Sequence, residues 1–433
     1  MFQENYNKKN GQIEFRIVGR KNRLKSALLR GKLLDEICIM AKNLFLKVFG
    51  LVDAQIGMIG RYLLYKNIPI VHNRVVFFTF QGKYTCNSKY IAEKLLELHP
   101  EYEVFFVINK EVQDRTELDI PEQVKFVLKD SAEAYHVLST ARVWVDNALC
   151  CVWRIVPKRK GQIYINTWHG SLGIKVLGGN KRWRGIAKKA DRQIDCFLTN
   201  STFDEEVFSK SFWPNVKHLK VGHPRNDLFF DDTKMNQMKE KVYAHYGIAP
   251  HEKTVLYAPT FRNNKEDVSA ILLDYQKLKA VLTRKFGGCW KVLVRPHFHN
   301  LAAFKFDDKD VINASDYDDM QELIAAMDVG ITDYSSWIFD YIFTKRPAFI
   351  YARDIDAYIN SRGFYYSLSE TPFSIASDDE VLSENIKQFD QNEYEIKITR
   401  FLEERGCYEN GTASEAVVNY IVNGKVYDKT QKG

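Results

Sequence analysis

The sequence predicts an α/β protein with two doubly wound parallel-sheet domains that face each other across a cleft. Short apolar segments alternate with helical patterns along residues 74–351, and a Gly- and Pro-containing segment at residues 222–227 interrupts the alternation. The 433 residues are enough for two domains of ordinary size. We expect an N-terminal segment at 1–70, a first domain at 71–222 and a second at 223–433, whose final helix could pack back on the first.

The predicted elements follow in order along the chain. In the first domain the strands are at 74–80, 104–108, 124–126, 143–146, 163–167 and 195–199, with helices at 90–98, 131–140 and from residue 201. In the second domain the strands are at 254–258, 291–294, 329–332 and 348–351, with helices at 234–246, 271–286, 320–327 and 335–343. Apolar strands interleaved with helices indicate parallel sheets, which bind ligands at the carboxyl ends of their strands.

The positive charge is confined to the N-terminal segment. Residues 1–70 hold thirteen Lys and Arg against five acidic residues, a local balance of +8, whereas the whole chain has a net charge of +7. Residues 71–433 are therefore close to neutral, which argues against nucleic acid as a partner of the two domains.

The same segment is amphipathic. Apolar residues recur at helical spacing at Ile37, Met40, Ala41, Leu44, Val48, Leu51, Val52, Ile59 and Leu63. Lys42 and Lys47 interrupt the run before it reaches the roughly eighteen uncharged residues that span a bilayer, and the layout of a secretory signal is missing. The pattern favours a helix bound to the surface of an anionic membrane. The alternative is a helix packed on the protein's own body with its basic face in solvent.

The cysteines indicate a reducing compartment. Seven are present, an odd number, and none forms a Cys-x-x-Cys pair. Most lie in apolar contexts such as Ile-Asp-Cys196-Phe-Leu. This usage predicts buried free thiols in the cytosol, not disulfides or a zinc cage.

Residues 328–347 carry the strongest functional signal. An apolar strand ends at Thr332 and is followed by Ser335 and Ser336, which open a segment with helical spacing. A serine-capped helix after a strand would present free backbone N–H groups, the positive end of a helix dipole and two hydroxyls to a phosphate or pyrophosphate. The alternative is an ordinary helix cap at Ser335 or Ser336 without a ligand.

A histidine follows a strand of the first domain, in the loop Asn166-Thr-Trp-His-Gly170. Next to Gly170, His169 could approach a substrate closely and take a proton near neutral pH. The alternative is a histidine that is bonded to the backbone in a turn.

Two strand ends of the second domain carry cationic side chains. Arg262 ends the first, and Arg295 and His297 follow the second. Two arginines and two serine-capped amides in one cleft suit a pyrophosphate, and histidines from opposite domains suit proton transfer and leaving-group stabilisation. His297 and His299 could instead bind a metal with His169. The region shows no supporting carboxylate spacing, so we predict neither a metal site nor a required cofactor.

Eight motifs occur in a fixed order and carry a resemblance to a known family. They are Trp168-His-Gly170, Gly222-His-Pro-Arg-Asn-Asp227, Leu256-Tyr-Ala-Pro-Thr-Phe-Arg262, Arg295-Pro-His297, Thr332-Asp-Tyr-Ser-Ser336 with Phe339-Asp340, Lys345-Arg-Pro347, Arg362-Gly-Phe364 and Gly411-Thr-Ala-Ser-Glu415. From about residue 75 to residue 422 the chain resembles the CDP-glycerol glycerophosphotransferase family, which includes the teichoic acid primases and polymerases.

The resemblance implies a GT-B fold and peripheral attachment to the cytoplasmic face of the cell membrane. It also implies transfer of glycerol phosphate from CDP-glycerol to a polyprenyl-linked acceptor with release of CMP. A GT-B cleft can perform this transfer without a bound metal. By position, His169 would be the general base on the acceptor hydroxyl.

The resemblance assigns roles to residues of the second domain as well. His297, Arg295 and Arg262 would hold the transferred phosphate and stabilise charge on the departing CMP. Ser335 and Ser336 would bind the pyrophosphate. Further donor-binding candidates are Thr332 and Asp340, and other candidates in the cleft are Gly170, Arg225, Asp227 and Arg362.

One departure from the family pattern concerns the acceptor. The family often reads Trp-His-Gly-Thr-Pro-Leu-Lys, whereas this chain reads Trp168-His-Gly-Ser-Leu-Gly-Ile-Lys175. CDP-ribitol as donor and a capsule-like polymer as product therefore stay open, as does the number of units added. A glycosyltransferase acting on a UDP-sugar would share the fold, and a non-catalytic membrane scaffold would use His169 only as a turn residue.

Overall fold

The computed structural model describes residues 56–110, 120–148, 155–170, 172–177, 181–262 and 268–424. The chain divides into two units, residues 1–67 and residues 68–433. Most of the basic amphipathic segment therefore lies outside the described residues. Its described part is helical at 56–65, and Ile59, Leu63 and Leu64 are exposed there. No helix in the described ranges combines the length and apolarity needed to cross a membrane.

Within the described residues of the larger unit, seven parallel strands form the first sheet, in the order β3-β2-β1-β4-β5-β6-β7. The strands are β1 (Val71–Phe78), β2 (Glu103–Ile108), β3 (Val124–Leu128), β4 (Ala141–Asp146), β5 (Ile163–Asn166), β6 (Cys196–Thr199) and β7 (Lys217–Lys220). Helices of this half are α1 (Cys86–Leu98), α2 (Ala132–Thr140), α3 (Lys181–Ala190) and α4 (Thr202–Ser211). Ser131 and Ser201 cap α2 and α4 by accepting backbone N–H groups.

The second sheet has six described parallel strands in the order β10-β9-β8-β11-β12-β13. The strands are β8 (Lys253–Tyr257), β9 (Trp290–Val294), β10 (Val311–Asn313), β11 (Val329–Thr332), β12 (Ala348–Tyr351) and β13 (Ser374–Ala376). Helices that follow α4 are α5 (Asp232–Tyr246), α6 (Tyr275–Phe286), α7 (Met320–Ala325), α8 (Ile338–Tyr341), α9 (Ile355–Arg362), α10 (Asp379–Gln388), α11 (Gln391–Glu404) and α12 (Ala413–Asn423).

Both sheets are buried on two faces, as parallel sheets are. Along β1, Val75 and Phe77 belong to one core cluster and Val76 and Phe78 to the cluster on the opposite face. This alternation follows from the two-residue period of a strand. The final helix α12 contributes apolar side chains to the core of the first sheet.

These sheets confirm the predicted doubly wound α/β class. Every strand named from the sequence is present, with ends that differ by at most a few residues. The strands β7, β10 and β13 were not predicted. Each has three or four residues, and β7 reads Lys-His-Leu-Lys with two exposed lysines, so it lacks the apolar run that marks a buried strand.

The segment at 222–227 connects the two halves through a 3-10 turn, Pro224–Phe230. Gly222 has φ +89°, and a Cβ there would lie 2.5 Å from Oε2 of the buried Glu409. Asp227 accepts the backbone N–H groups of Ala413 and Ser414 at 2.9 and 2.7 Å. It therefore satisfies the start of α12 and ties that helix to the connecting turn.

Candidate active site

The candidate active site lies where the carboxyl edges of the two sheets meet. In each sheet the strand order reverses at one point, between β1 and β4 and between β8 and β11, where open sheets bind ligands. We call residues 333–337, directly after β11, the serine turn. A Cβ added at Gly170, after β5, would lie 3.1 Å from Oγ of Ser336. The glycine thus allows the His169 loop to approach the serine turn.

The His169 imidazole is held in one tautomer. Its Nδ1 lies 2.7 Å from the carbonyl oxygen of Asn147, which follows β4. Because a carbonyl oxygen only accepts, Nδ1 carries the proton and Nε2 is left with its lone pair. The imidazole also stacks on Trp168 and Phe80, at centroid distances of 4.7 and 5.7 Å. The alternative of a histidine bonded to the backbone is therefore confirmed for Nδ1, whereas the lone pair of Nε2 can still accept a proton.

The pKa of His169 is lowered from its ordinary value. Surrounding protein disfavours the charged imidazolium, the positive charge of Arg225 adds to this effect, and the hydrogen bond to Asn147 opposes it. The residue is nevertheless exposed. At neutral pH the imidazole is thus unprotonated and reachable, as a general base requires.

The turn that carries His169 is strained and held by a residue that sequence reasoning missed. Trp168 has φ +51°, in the left-handed region that bulky side chains rarely adopt. The buried amide of Asn87 donates to the carbonyl oxygens of Thr167 and Trp168, both at 3.2 Å. The Asn87 Oδ1 in turn accepts the backbone N–H of Arg225 at 3.2 Å.

The predicted start of the serine-capped helix is wrong. The helix α8 begins at Ile338, with Trp337 as its N-cap and no side-chain capping bond, and after four residues it continues as a 3-10 turn. Ser335 and Ser336 precede it and are partly exposed. Because so short a helix has a small dipole, any phosphate bound here would depend on hydroxyls and local N–H groups.

Asp333 organises the serine turn in place of a serine cap. Its carboxylate accepts the backbone N–H of Tyr334 at 2.5 Å and both the N–H and the hydroxyl of Thr260, at 2.9 and 2.7 Å. These bonds tie the turn after β11 to the loop after β8. Asp333 thus holds the Tyr334 N–H just before the predicted serine cap, and α8 starts only at Ile338.

Arg262 is buried and paired with two carboxylates. It contacts Asp354 in bidentate fashion at 2.7 and 3.0 Å and Asp333 at 2.8 Å, and its remaining donors reach Thr260. Burial alone would lower the pKa of Arg262, but the two carboxylates more than offset it and the pKa is raised. The role of Arg262 in phosphate binding stays a prediction, and the geometry makes it an organiser of the loop.

Asp333 and Asp354 were not among the predicted site residues. Both lie just after strands of the second sheet, β11 and β12, and position at a carboxyl edge is the signal that could have identified them.

Arg295 differs from Arg262 in its charge environment. Among the described residues it has no carboxylate within ion-pair distance, and its guanidinium donates to the carbonyl oxygen of Tyr317. Burial lowers the pKa of Arg295, and more distant carboxylates only partly oppose this. A phosphate would supply the missing negative charge. His297, two residues later, is exposed, and its ring packs against Phe261 at 5.0 Å.

Three other predicted site residues, Arg225, Thr332 and Asp340, bond to other parts of the protein. Asp340 forms a buried bidentate ion pair with Arg225 at 3.0 and 3.1 Å. The Thr332 hydroxyl donates to the carbonyl oxygen of Ala258 at 2.7 Å. Arg362 is the last residue of α9, and its side chain lies outside the described atoms, as does that of His299.

The described residues contain no group of three or more His, Cys, Asp or Glu that could hold a metal ion. Of the described cysteines, Cys196 is buried and burial raises its thiol pKa to about 12, whereas Cys289 is exposed. The prediction of buried thiols is therefore wrong for Cys289, which lies in the loop between α6 and β9.

Two Rossmann-like sheets with their ligand-binding edges in contact define a fold of the GT-B type. The family model of CDP-glycerol:poly(glycerophosphate) glycerophosphotransferases matches residues 61–423. The chain belongs to this family. A solved structure of the wall teichoic acid polymerase TagF is 27% identical, with a TM-score of 0.73 over 89% of this chain and 97% of that one.

Curated relatives carry both glycerol and ribitol names. A teichoic acid poly(glycerol phosphate) polymerase from Bacillus subtilis is 27% identical over 95% of this chain and 55% of its own length. A teichoic acid poly(ribitol-phosphate) polymerase from Bacillus spizizenii is 25% identical over 83% of this chain and 58% of its own length. The chain thus spans little more than half the length of these two relatives.

The tautomer and lowered pKa of His169 generate the first prediction. His169→Ala should reduce turnover about 10²–10⁴-fold with donor affinity unchanged, because the base acts on the acceptor. Activity should fall as the pH drops through the lowered pKa of His169. The midpoint of the acidic limb of the kcat/KM profile should therefore lie below 6.5, the ordinary pKa of a histidine. Steady-state rates across pH 5–8 check both. Wild-type turnover in the alanine variant would remove His169 from the mechanism.

The contrast between the two arginines generates the second prediction. Arg295→Ala should weaken donor binding by about 1.5–3 kcal/mol, since it removes a charge-assisted hydrogen bond, and should leave the melting temperature nearly unchanged. Arg262→Ala should lower stability by about 3–5 kcal/mol, because Asp333 and Asp354 lose their buried partner. Calorimetric titration and thermal unfolding separate the two. An Arg262→Ala protein that keeps its stability and loses donor affinity would make Arg262 the phosphate ligand.

Proposed function

We propose that this chain transfers glycerol phosphate from CDP-glycerol to a hydroxyl of a lipid-linked acceptor and releases CMP, in the synthesis of teichoic acid or a related surface polymer. The observation that carries the proposal is the pairing of a tautomer-locked His169 loop with the serine turn across the cleft. Membership of the glycerophosphotransferase family and the polymerase names of the relatives support it.

The proposed reaction is an in-line displacement at the β-phosphorus of the donor. His169 Nε2 takes the proton of the acceptor hydroxyl as its oxygen bonds to phosphorus. The bond from phosphorus to the oxygen that bridges the two phosphates breaks, and CMP leaves with an additional negative charge. Arg295, His297 and the serine turn would stabilise this charge, so positioning and electrostatics can account for the rate without covalent catalysis.

Ribitol phosphate is the alternative unit. The match to a poly(ribitol-phosphate) polymerase favours keeping it open. The departure at Leu172-Gly-Ile-Lys175 bears less on the acceptor than the sequence suggested, because Leu172 and Ile174 are buried in the second half. Two relatives with strong matches are named teichoic acid poly(glycerol phosphate) polymerases, and these names favour glycerol phosphate as the transferred unit.

The donor is tested by CMP release. Purified protein is incubated with CDP-glycerol, CDP-ribitol or a UDP-sugar, each with and without a lipid-linked acceptor, and CMP is measured by chromatography. We expect CMP from CDP-glycerol in amounts that rise with the acceptor. Release only from CDP-ribitol would change the unit to ribitol. Sugar transfer from a UDP-sugar with CDP-glycerol inert would make the protein a glycosyltransferase.

We further propose that residues 1–70 attach the enzyme to the surface of an anionic membrane on its cytoplasmic face, close to a polyprenyl-linked acceptor. The local charge of +8 and the apolar stripe support this. The described helix at 56–65 adds Ile59, Leu63 and Leu64 with exposures of 56%, 56% and 72%.

Vesicle sedimentation tests the attachment. Full-length protein should pellet with anionic vesicles and be partly released by high salt, because each basic residue near the surface contributes on the order of 1 kcal/mol that salt screens. Protein without residues 1–70 should stay in solution and still act on a short soluble acceptor. Equal pelleting of both proteins would place the attachment on the catalytic body.

A further inference from the structure

The chain after His169 leaves its own sheet and enters the other half of the molecule. Leu172 and Ile174 are 0% and 1% exposed and belong to a core cluster made mostly of second-half residues, including Phe339 and Tyr366. A catalytic loop usually returns to its own domain over the surface. Here Leu172, three residues after His169, already lies in the packed interior of the second half.

Backbone pairing reinforces this crossing. We call residues 172–177 together with residues 363–366 the latch. An antiparallel bridge joins Lys175 to Phe364. The N–H of Tyr365 donates to the carbonyl oxygen of Ile174 at 2.8 Å, and the N–H of Val176 donates to that of Gly363 at 3.2 Å. The Tyr365 hydroxyl also accepts the N–H of Leu177 at 2.9 Å.

Leu172 is the strained member of the latch. Its φ is +48°, in the left-handed region that leucine rarely adopts. Both of its backbone polar groups are held: the N–H donates to Oδ1 of Asp204 on α4 at 3.2 Å, and the carbonyl oxygen accepts the hydroxyl of Tyr366. Asp204 belongs to the first half and Tyr366 to the second. Strain of this kind persists only where the surroundings determine the conformation.

We propose that Tyr366 is a positioning residue that holds the His169 loop against the serine turn through Leu172. The inference rests on the proposed function and deepens it, since the step affected is proton transfer from the acceptor. Leu172 is three residues from His169 and two from Gly170, whose approach to Ser336 leaves little room for a side chain. A small shift of Leu172 therefore displaces the base from the reacting hydroxyl. The rate of catalysis falls sharply when a reacting group is displaced in this way.

The Tyr366 ring allows its hydroxyl to be removed alone. Arg405 lies over the ring at 4.3 Å, and the rings of Phe203 and Phe401 contact it at 5.5 and 6.1 Å. A phenylalanine would keep these contacts and lose only the bond to Leu172. Tyr394 offers a matched control, because it is buried in the same core cluster and its hydroxyl has no hydrogen-bond partner among the residues that the structure describes.

The experiment compares Tyr366→Phe with Tyr394→Phe in the full chain. With CDP-glycerol and a lipid acceptor, Tyr366→Phe should lower kcat about tenfold, as expected for one lost hydrogen bond to the loop that carries the base. Its KM for CDP-glycerol should match that of the wild type, and its melting temperature should fall by at most a few degrees, since one buried hydrogen bond is lost. Tyr394→Phe should keep wild-type kcat. Equal kcat in the two variants, or a rise in donor KM instead of a fall in kcat, would overturn the proposal.

A double-mutant cycle shows whether Tyr366 acts through His169. In the His169→Ala background the residual rate should be insensitive to Tyr366→Phe, because the base that the latch positions is gone. The same tenfold loss in both backgrounds would overturn the proposal. Wild-type protein that releases no CMP from CDP-glycerol would instead contradict the proposed function, so the two failures are distinguishable.

Discussion

The buried ion pair between Arg225 and Asp340 connects the parts of the cleft that the chain order separates. Arg225 lies in the turn that joins the halves, and its guanidinium holds Asp340 of α8 just after the serine turn. Its backbone N–H bonds to Asn87, whose amide secures the strained turn at Trp168. Losing either charge would leave the other buried and unpaired, at a cost of about 3–5 kcal/mol. The relative position of His169 and the serine turn therefore depends on this pair.

Arg225 also affects the electrostatics of His169. Its positive charge contributes to the lowered pKa of His169. Burial is the main cause of that lowered pKa, and Arg225 adds to it while it also supports the turn that carries His169 through Asn87. The charge effect favours a neutral imidazole, which is the form that can accept a proton.

Three arginines of the family motifs have three different environments. Arg225 pairs with Asp340, and Arg262 pairs with Asp333 and Asp354. Arg295 is half-buried and has no carboxylate within ion-pair distance among the described residues. Neutralised arginines stabilise loops, whereas an uncompensated one attracts an anion. We infer that the donor phosphates are recognised mainly at Arg295, with the first two arginines shaping the loops around it.

Much of the fold could be predicted from the sequence alone. Strands such as β1 and β11 are apolar runs bounded by polar residues, and Ser131 and Ser201 mark helix starts, because these signals are local. The loops that carry His169, Arg295 and the two serines were found in the same way, since parallel strands bring their carboxyl ends to one edge. The start of α8 could not be predicted, because Asp333 ties the preceding turn to Thr260 of another loop, a contact between distant parts of the chain.

Only the tertiary structure decided how these residues divide their roles. The sequence determined two parallel sheets and the loops at their edges, because strand and helix patterns repeat within a few residues. It could not show that Asn147 fixes the His169 tautomer, that Asn87 holds the turn or that Leu172 crosses into the second half. Those contacts join residues from different elements of the chain. Packing and the burial of charge determine which residues come into contact, and neither produces a periodic pattern in the sequence.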